Sequence, residues 1–236
     1  MNDILFKQKE QIIKLLKEKS VMKQEVYKNT ISAFELVKKC VSEIASELNI
    51  ETQAIDKRII VSNQETASHS TQLKVAGDLL EFFMHTNVFE FEKTHAMFRT
   101  GYVKLNPYNS YCGIINVYNF LSDSFKFNRL NDLGYLVCRI FINRENRFFI
   151  EGKGPVGIRY SSFSNEAITA EQLKEIIHEL IISAINFDLF TPPIEQIREV
   201  SVNEIQEKVN SINFRTGKRL GYGSSSSADE DSNLYI

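Results

Sequence analysis

FNRLNDLGYLVCRIFINRENRFFIEGKGPVGIRYSSFSNEAITAEQLKEIIHELIISAINFDLF, residues 127–190, is the stretch that decides the fold class of this chain. Two apolar runs, DLGYLVCRIFINRE and RFFIE, lie on either side of a tight polar turn at 144–147, which is typical of a β-hairpin. The first run is apolar on both alternating faces, which favours a central strand or one covered by helices. One face contains Leu136, Cys138, Ile140 and Ile142, and the other contains Tyr135, Val137 and Phe141 together with Arg139.

A capped amphipathic helix follows the hairpin. The Thr169 hydroxyl can accept from the amide of Gln172, whose side chain can reach back, so the two residues form a capping box. The apolar stripe after this box predicts a helix with one buried face. Its members are Leu173, Ile176, Ile177, Leu180, Ile181, Ala184 and Ile185. Thr191-Pro192-Pro193 ends this helix, and a second capping box at 201–204 predicts a shorter helix that buries Ile205, Val209 and Ile212.

The N-terminal part also predicts helix. Residues 3–49 contain neither proline nor glycine, and apolar residues recur there at three- and four-residue steps. A break is expected near Ser20, between two such patterns. One long interrupted helix and an antiparallel hairpin of two helices both satisfy this pattern.

In the segment between this helix and the hairpin, the spacing of apolar residues changes twice. KRIIVSN, residues 57–63, could be one short strand or the end of a loop, and the small polar residues SNQETASHS, residues 62–70, favour a linker at 58–70. The spacing of Leu73, Ala76, Leu80 and Phe83 predicts a helix over 71–86. From residue 88 the sequence VFEFE alternates apolar and acidic residues and predicts a strand, continued by HAMFRTGYVKLN. Asn106-Pro107 marks a turn, and YCGIINVYNFL predicts another strand.

Together these patterns predict an α+β fold, with an antiparallel sheet of about four to five strands packed against helices. We expect an N-terminal helical arm at 1–57, a linker at 58–70 and an α+β domain at 71–215. The serine- and glycine-rich residues 216–236 predict a flexible polar tail.

Composition excludes several classes of protein. The formal net charge is −2, so the general basic excess of many nucleic-acid-binding proteins is missing. The three widely spaced cysteines, Cys40, Cys112 and Cys138, form no C-x-x-C pair and predict reduced, partly buried thiols. No apolar run approaches the roughly 18 residues that a membrane span needs, so we expect a cytoplasmic protein.

Two motifs in the hairpin region suggest chemistry, and both are disfavoured. Residues 152–157 match the phosphate-binding pattern G-x-G-x-x-G, but IRYSS rather than a helix is expected to follow, which favours a plain turn. Glu151 and Lys153 match the E-x-K half of a metal-dependent nuclease site, which needs a second acid. The nearest candidate, Asp132, is expected roughly 25 Å from Glu151 at strand rise, too far for two ligands of one metal.

The remaining polar residues predict no catalytic group, metal or cofactor. His69, His85, His95 and His178 lack metal-ligand spacing, and His178 is expected to be solvated on the flank of its helix. A candidate patch for an anionic partner or ligand could gather around one end of the hairpin. It consists of Arg139, Arg147, Lys153 and Arg159. A solvated rim is the favoured interpretation of these four residues.

The order of elements also resembles a known family. Asn128 and Asn131 form N-x-x-N ahead of a strand, a polar turn, a second strand, a glycine-containing link and the helix capped by Thr169. Residues 82–190 resemble the corresponding block of YbjN-type proteins, which share the fold of type III secretion chaperones. The longer link at 154–168 departs from that family's compact form. The resemblance implies a twisted antiparallel sheet packed on helices, a role in protein binding or regulation, and no catalytic residues.

The leading hypothesis is a non-catalytic interaction module, an adaptor or chaperone-like regulator. Its partner would be another protein or a second copy bound through the N-terminal helices, because helices with much apolar surface commonly dock a partner. Nucleic acid is a disfavoured partner. The alternatives are a metal-dependent nuclease or nucleotide-binding effector that uses Glu151 and Lys153, and a structural subunit of a larger assembly.

Overall fold

The structure is a computed structural model that describes residues 2–152, 154–189, 191, 193–203 and 205–206. Its helices are α1 (Asn2–Leu15), α2 (Val21–Ile55), α3 (Gly101–Leu105), α4 (Ser122–Lys126), α5 (Pro155–Arg159), α6 (Ala170–Ile185) and α7 (Ile194–Ile197). Its strands are β1 (Val61–Ala67), β2 (Ser70–Val75), β3 (Asp78–Met84), β4 (Phe89–Glu90), β5 (Tyr111–Leu121), β6 (Tyr135–Asn143) and β7 (Phe148–Gly152). Outside the described residues lie the predictions for Lys153, Val209, Ile212 and the tail at 216–236.

The N-terminal helix is one long helix with an interruption. A π-helical turn, Leu16–Ser20, joins α1 directly to α2, so the interrupted helix is confirmed and the antiparallel hairpin is wrong. The interruption falls where the break was expected. Lys19 lies in this turn with its Nζ atom 5.3 Å from the ring centroid of Tyr111, so the turn is anchored to the start of β5.

α2 is part of the main core rather than an independent arm. Its three- and four-residue apolar spacing produces a continuous stripe that packs against the sheet. The members within the main core are Ala33, Phe34, Val37, Cys40, Val41, Ile44 and Ala45. Met22 and Val26 are also buried and form a separate small cluster with Tyr111. α6 packs on the same core, and Lys174 Nζ of α6 lies 2.7 Å from Glu43 Oε2 of α2. These two helices therefore cover one face of the sheet.

The sheet is antiparallel throughout, in the order β1-β2-β3-β5-β6-β7, and β4 pairs with part of β5. The predicted α+β class is confirmed. The seven strands exceed the expected number because the segment at 58–86 contributes three of them.

The linker predicted at 58–70 and the helix predicted at 71–86 were both wrong, whereas the alternative of a short strand at 57–63 overlaps the start of β1. The polar residues taken as a linker form β1, and the residues taken as a helix form β2 and β3. A two-residue turn, Ala76-Gly77, joins β2 to β3, with φ of 52° at Ala76. Leu73 and Leu80 face each other across this hairpin and point into the core, so their helix-like spacing is a consequence of the turn.

Residues 88–110 form a cover over part of the opposite face. Of the strand expected at VFEFE, only the two residues of β4 are in strand conformation. The expected continuation at HAMFRTGYVKLN is instead helical, with a 3-10 helix at Ala96–Arg99 followed by α3. The Asn106-Pro107 turn and the strand YCGIINVYNFL are both confirmed. The cover packs on β5, β6 and β7 through a second apolar cluster. That cluster contains Met97, Val103, Cys112, Phe141 and Phe149.

The β6–β7 hairpin is confirmed, with one change of face. Ile140 and Ile142 face the helices and Phe141 faces the cover, as predicted. Tyr135 and Val137 were expected on the Phe141 face, but Val137 belongs to the helix-side core and Tyr135 packs against it. The β5–β6 pairing skips Val137, and a bulge of this kind turns the preceding residues to the opposite face.

α6 begins as predicted. Thr169 accepts from the Gln172 amide, and the Gln172 side chain accepts from the Thr169 amide, which completes the capping box. The predicted stripe is buried except for Ile185, which lies exposed at the last position of the helix.

Candidate functional site

The glycine-rich loop differs from the sequence expectation but has a structural explanation. A short helix, α5, begins at Pro155 within the motif and ends at Arg159, so the expected absence of a helix here was wrong. Gly154 adopts φ of 79°, which side chains disfavour, and a Cβ built on Gly157 would lie 2.0 Å from the carbonyl oxygen of Gly152. Pro155 occupies the first turn and has no N–H to offer a phosphate. These glycines are therefore required by the backbone path itself.

The Glu151 carboxylate is hydrogen-bonded to side chains within the fold. Glu151 lies opposite Arg139, and Arg139 Nη2 donates to Glu151 Oε2 at 2.5 Å. Asp132 belongs to a different group, in which Ser124 Oγ donates to Asp132 Oδ2 at 2.6 Å. The two carboxylates of the nuclease hypothesis are therefore engaged separately. Across the described part of the chain, no cluster of three or more potential metal ligands occurs.

His95 is a residue that sequence reasoning missed. Its Nε2 atom lies 2.8 Å from Glu151 Oε1, and its Nδ1 atom accepts from the Met97 amide at 3.3 Å. Because Nδ1 accepts, Nε2 carries the proton and donates to Glu151. Phe91 packs on the imidazole with a centroid separation of 4.6 Å. Both ring nitrogens are therefore occupied, and His95 fastens the cover to β7 instead of serving as a free base. Its partner is 56 residues away in sequence, so local pattern carries no signal for the pair.

The three described arginines of the candidate patch have separate carboxylate partners. Arg139 pairs with Glu151, and Arg147 pairs with Glu145 at 3.4 Å while it lies over the Tyr102 ring. Arg159 pairs with Glu175 of α6. Lys153 lies outside the described residues. Because these ion pairs match each arginine locally, little uncompensated positive charge is left here for an anionic partner.

All three cysteines are buried. Burial raises the pKa of the Cys138 thiol to about 12 and raises the pKa of Cys112 well above its usual range. Thiolate is the reactive form, so neither group is suited to nucleophilic chemistry near neutral pH.

We therefore expect the disulfide reagent DTNB to label none of the three native cysteines near neutral pH and all three after unfolding in denaturant. The reason is that each thiol is both shielded from the reagent and held in its neutral form. A Ser68→Cys variant serves as the control, because Ser68 is exposed and its replacement should react at once. Rapid native labelling of Cys112 would show that the cover opens.

A group of seven exposed apolar side chains lies on α1 and the π turn. Its members are Ile4, Leu5, Phe6, Ile12, Ile13, Leu15 and Leu16, which we call the arm stripe. Each of these side chains is between 41% and 65% exposed. A π turn accommodates about one residue more than an α turn, so it rotates the arm stripe by roughly 100° relative to the buried stripe of α2. Every described side chain of α1 is exposed, so the arm stripe lies outside the core that α2 forms with the sheet.

The opposite side of α1 is charged. Asp3 and Lys7 form an ion pair at 3.0 Å, and Lys14 lies on the same side two turns later. This arrangement makes α1 amphipathic, with a charged face suited to water and an apolar face without a partner among the described residues.

Comparisons with known proteins add no relative. No family model, curated protein or solved structure matches the chain. Among the described helices, none combines the length and the apolar character needed to cross a membrane.

Proposed function

We propose that this chain is a non-catalytic protein–protein interaction module, adaptor-like or chaperone-like, in which the arm stripe is the docking surface. The single observation that carries the proposal is the exposure of seven large apolar side chains on one projecting helix. Contiguous apolar surface of this kind marks interaction sites on soluble proteins. The resemblance to YbjN-type proteins points to the same class of function.

The chemistry of α1 indicates the kind of partner. Burying a leucine or isoleucine side chain stabilises a complex by up to about 1.5–3 kcal/mol, less where the side chain is already partly covered. An amphipathic helix gains this stabilisation when its apolar face packs on a groove or on another helix. We therefore expect the partner to present an apolar helical surface, on another protein or on a second copy of this chain.

The sheet domain supplies a rigid base for the arm. Lys19 and Lys23 both lie over the Tyr111 ring, and Tyr111 donates to Glu90 Oε2 at 2.6 Å. These contacts fix the root of α1 against β4 and β5. The arrangement favours a presented helix over a site of chemistry, since the polar groups near Glu151 are satisfied within the fold.

Charge placed in the arm stripe is expected to abolish partner binding. The variant Leu5→Glu/Ile12→Glu keeps the helix but puts two carboxylates into the apolar face, where burial is costly. Tagged wild-type and variant proteins are compared by quantitative co-purification and by light scattering. The amount of partner protein that co-purifies should be at least tenfold lower with the variant than with the wild type.

The matched control is Lys7→Glu/Lys14→Glu, which changes two charges on the opposite face of α1. It should retain the same partners as the wild type. Equal loss in both variants would attribute the effect to charge alone and contradict docking through the stripe. Circular dichroism of each variant checks that the helix content is unchanged.

A further inference from the structure

The two edges of the sheet are treated differently. At the β7 edge, the Ile150 amide donates to the Tyr160 carbonyl at 2.7 Å, and the Ser164 amide donates to the Phe148 carbonyl at 2.8 Å. The chain following β7 therefore closes that edge. A closed edge cannot accept a further strand, because its outward N–H and C=O groups already have partners.

At the β1 edge, alternate backbone groups point away from the sheet. The Ala76 amide donates to the Ile60 carbonyl at 3.0 Å, and Val61 lies opposite Val75. Hydrogen-bonded pairs alternate along antiparallel strands, so Ser62 and Gln64 bond to β2 while Val61, Asn63 and Glu65 direct their groups outward. The Val61 amide is taken by Asn49 Oδ1 at 3.3 Å.

The other outward groups are open. They are the carbonyl of Val61 and both backbone groups of Asn63 and Glu65, and no hydrogen bond to them occurs within the described residues.

β1 also lacks two of the residues that most often protect an edge strand. Its sequence, VSNQETA, contains no proline and no lysine, the residues that commonly block pairing. Its single charged residue, Glu65, lies 3.5 Å from Lys38 Nζ of α2, so this charge is already compensated. A bulge after Glu65 limits the regular edge to its first five residues.

We propose that β1 pairs with β1 of a second copy in antiparallel orientation, centred on Asn63, so that two sheets join into one. This register places Asn63 opposite Asn63 of the second copy and Val61 opposite its Glu65. It forms about four main-chain hydrogen bonds from the open groups. In this register Glu65 is not paired with Glu65 of the second copy. Ser62, which is neutral, pairs with the neutral Gln64 of the second copy, so no two residues of like charge lie opposite each other. The proposal is independent of the arm stripe.

The test uses the full chain with the Leu5→Glu/Ile12→Glu substitutions, so that the arm cannot contribute to association. Light scattering at increasing concentration is expected to give twice the monomer mass of 27.2 kDa. Asn63→Pro removes the outward N–H, leaves the β2-facing groups in place and is tolerated on an edge, so it should return the mass to that of a monomer. Asn63→Thr keeps the N–H and suits a strand, so it should remain a dimer.

Hydrogen exchange supplies a readout that does not depend on the proline variant folding. In the Leu5→Glu/Ile12→Glu variant, the amides of Asn63 and Glu65 should become protected from exchange as the protein concentration rises. The exchange rates of amides at the closed β7 edge should stay unchanged. A monomer at every concentration, unprotected Asn63 and Glu65 amides, or a dimer that persists in a folded Asn63→Pro variant would each overturn the proposal.

Discussion

Replacing Phe34 by alanine is expected to lower the free energy of unfolding by about 3–5 kcal/mol, because a large buried side chain is lost and a cavity remains. Phe34 lies on α2 with only 1% of its surface exposed, within the core shared by α2, α6 and the sheet. Chemical denaturation followed by circular dichroism measures the change. A loss of this size is a large fraction of the roughly 5–15 kcal/mol that stabilises an ordinary domain.

Phe6→Ala is the matched control. It removes the same side chain from the same long helix, but Phe6 is 60% exposed on α1. Its expected effect on unfolding is within about 0.5 kcal/mol. Similar losses in both variants would mean that α1 also packs on the domain and that the arm stripe is not free to bind a partner. A negligible loss at Phe34 would remove α2 from the core.

Replacing Gly157 by alanine is expected to destabilise the fold by about 1–3 kcal/mol, since the added methyl group has no space. The methyl group would lie 2.0 Å from the Gly152 carbonyl oxygen, and a backbone atom cannot rotate away as a side chain can. Thermal and chemical denaturation both measure the effect. The result would show that the G-x-G-x-x-G pattern is explained by packing between the end of β7 and α5.

Gly101→Ala supplies the comparison for this prediction. Gly101 also begins a short helix, but a Cβ built there meets no atom within 4 Å, and its φ is not left-handed. Its replacement should be neutral or slightly stabilising, because alanine restricts the unfolded chain. If Gly157→Ala were as well tolerated as Gly101→Ala, the steric account of the loop would be wrong.

Much of the C-terminal half could be predicted from sequence, because its signals are local. Thr169 and Gln172 are three residues apart and cap the helix through their own backbone, whatever packs nearby. The turn at 144–147 joins its two strands directly, so the hairpin also needs no distant partner. Such features are encoded within a few residues and survive without knowledge of the tertiary structure.

The segment at 58–86 could not be predicted in the same way. Leu73 and Leu80 satisfy a helical spacing and a hairpin equally well, and only pairing with β5 selects the hairpin. β1 contains almost no apolar residues, and its strand conformation depends on β2 beside it and α2 beneath it. Tertiary contacts override local propensity at such positions.

The sequence by itself determined that this chain is an α+β protein, with a helical N-terminal segment, a central hairpin and a capped helix, because periodicity and capping act over short distances. Only the tertiary structure decided the rest. It placed α2 within the core, paired His95 with Glu151, gave each described arginine of the predicted patch its own carboxylate, and left α1 and the β1 edge open. These outcomes depend on contacts between residues far apart in sequence, whose geometry exists only after the sheet has formed.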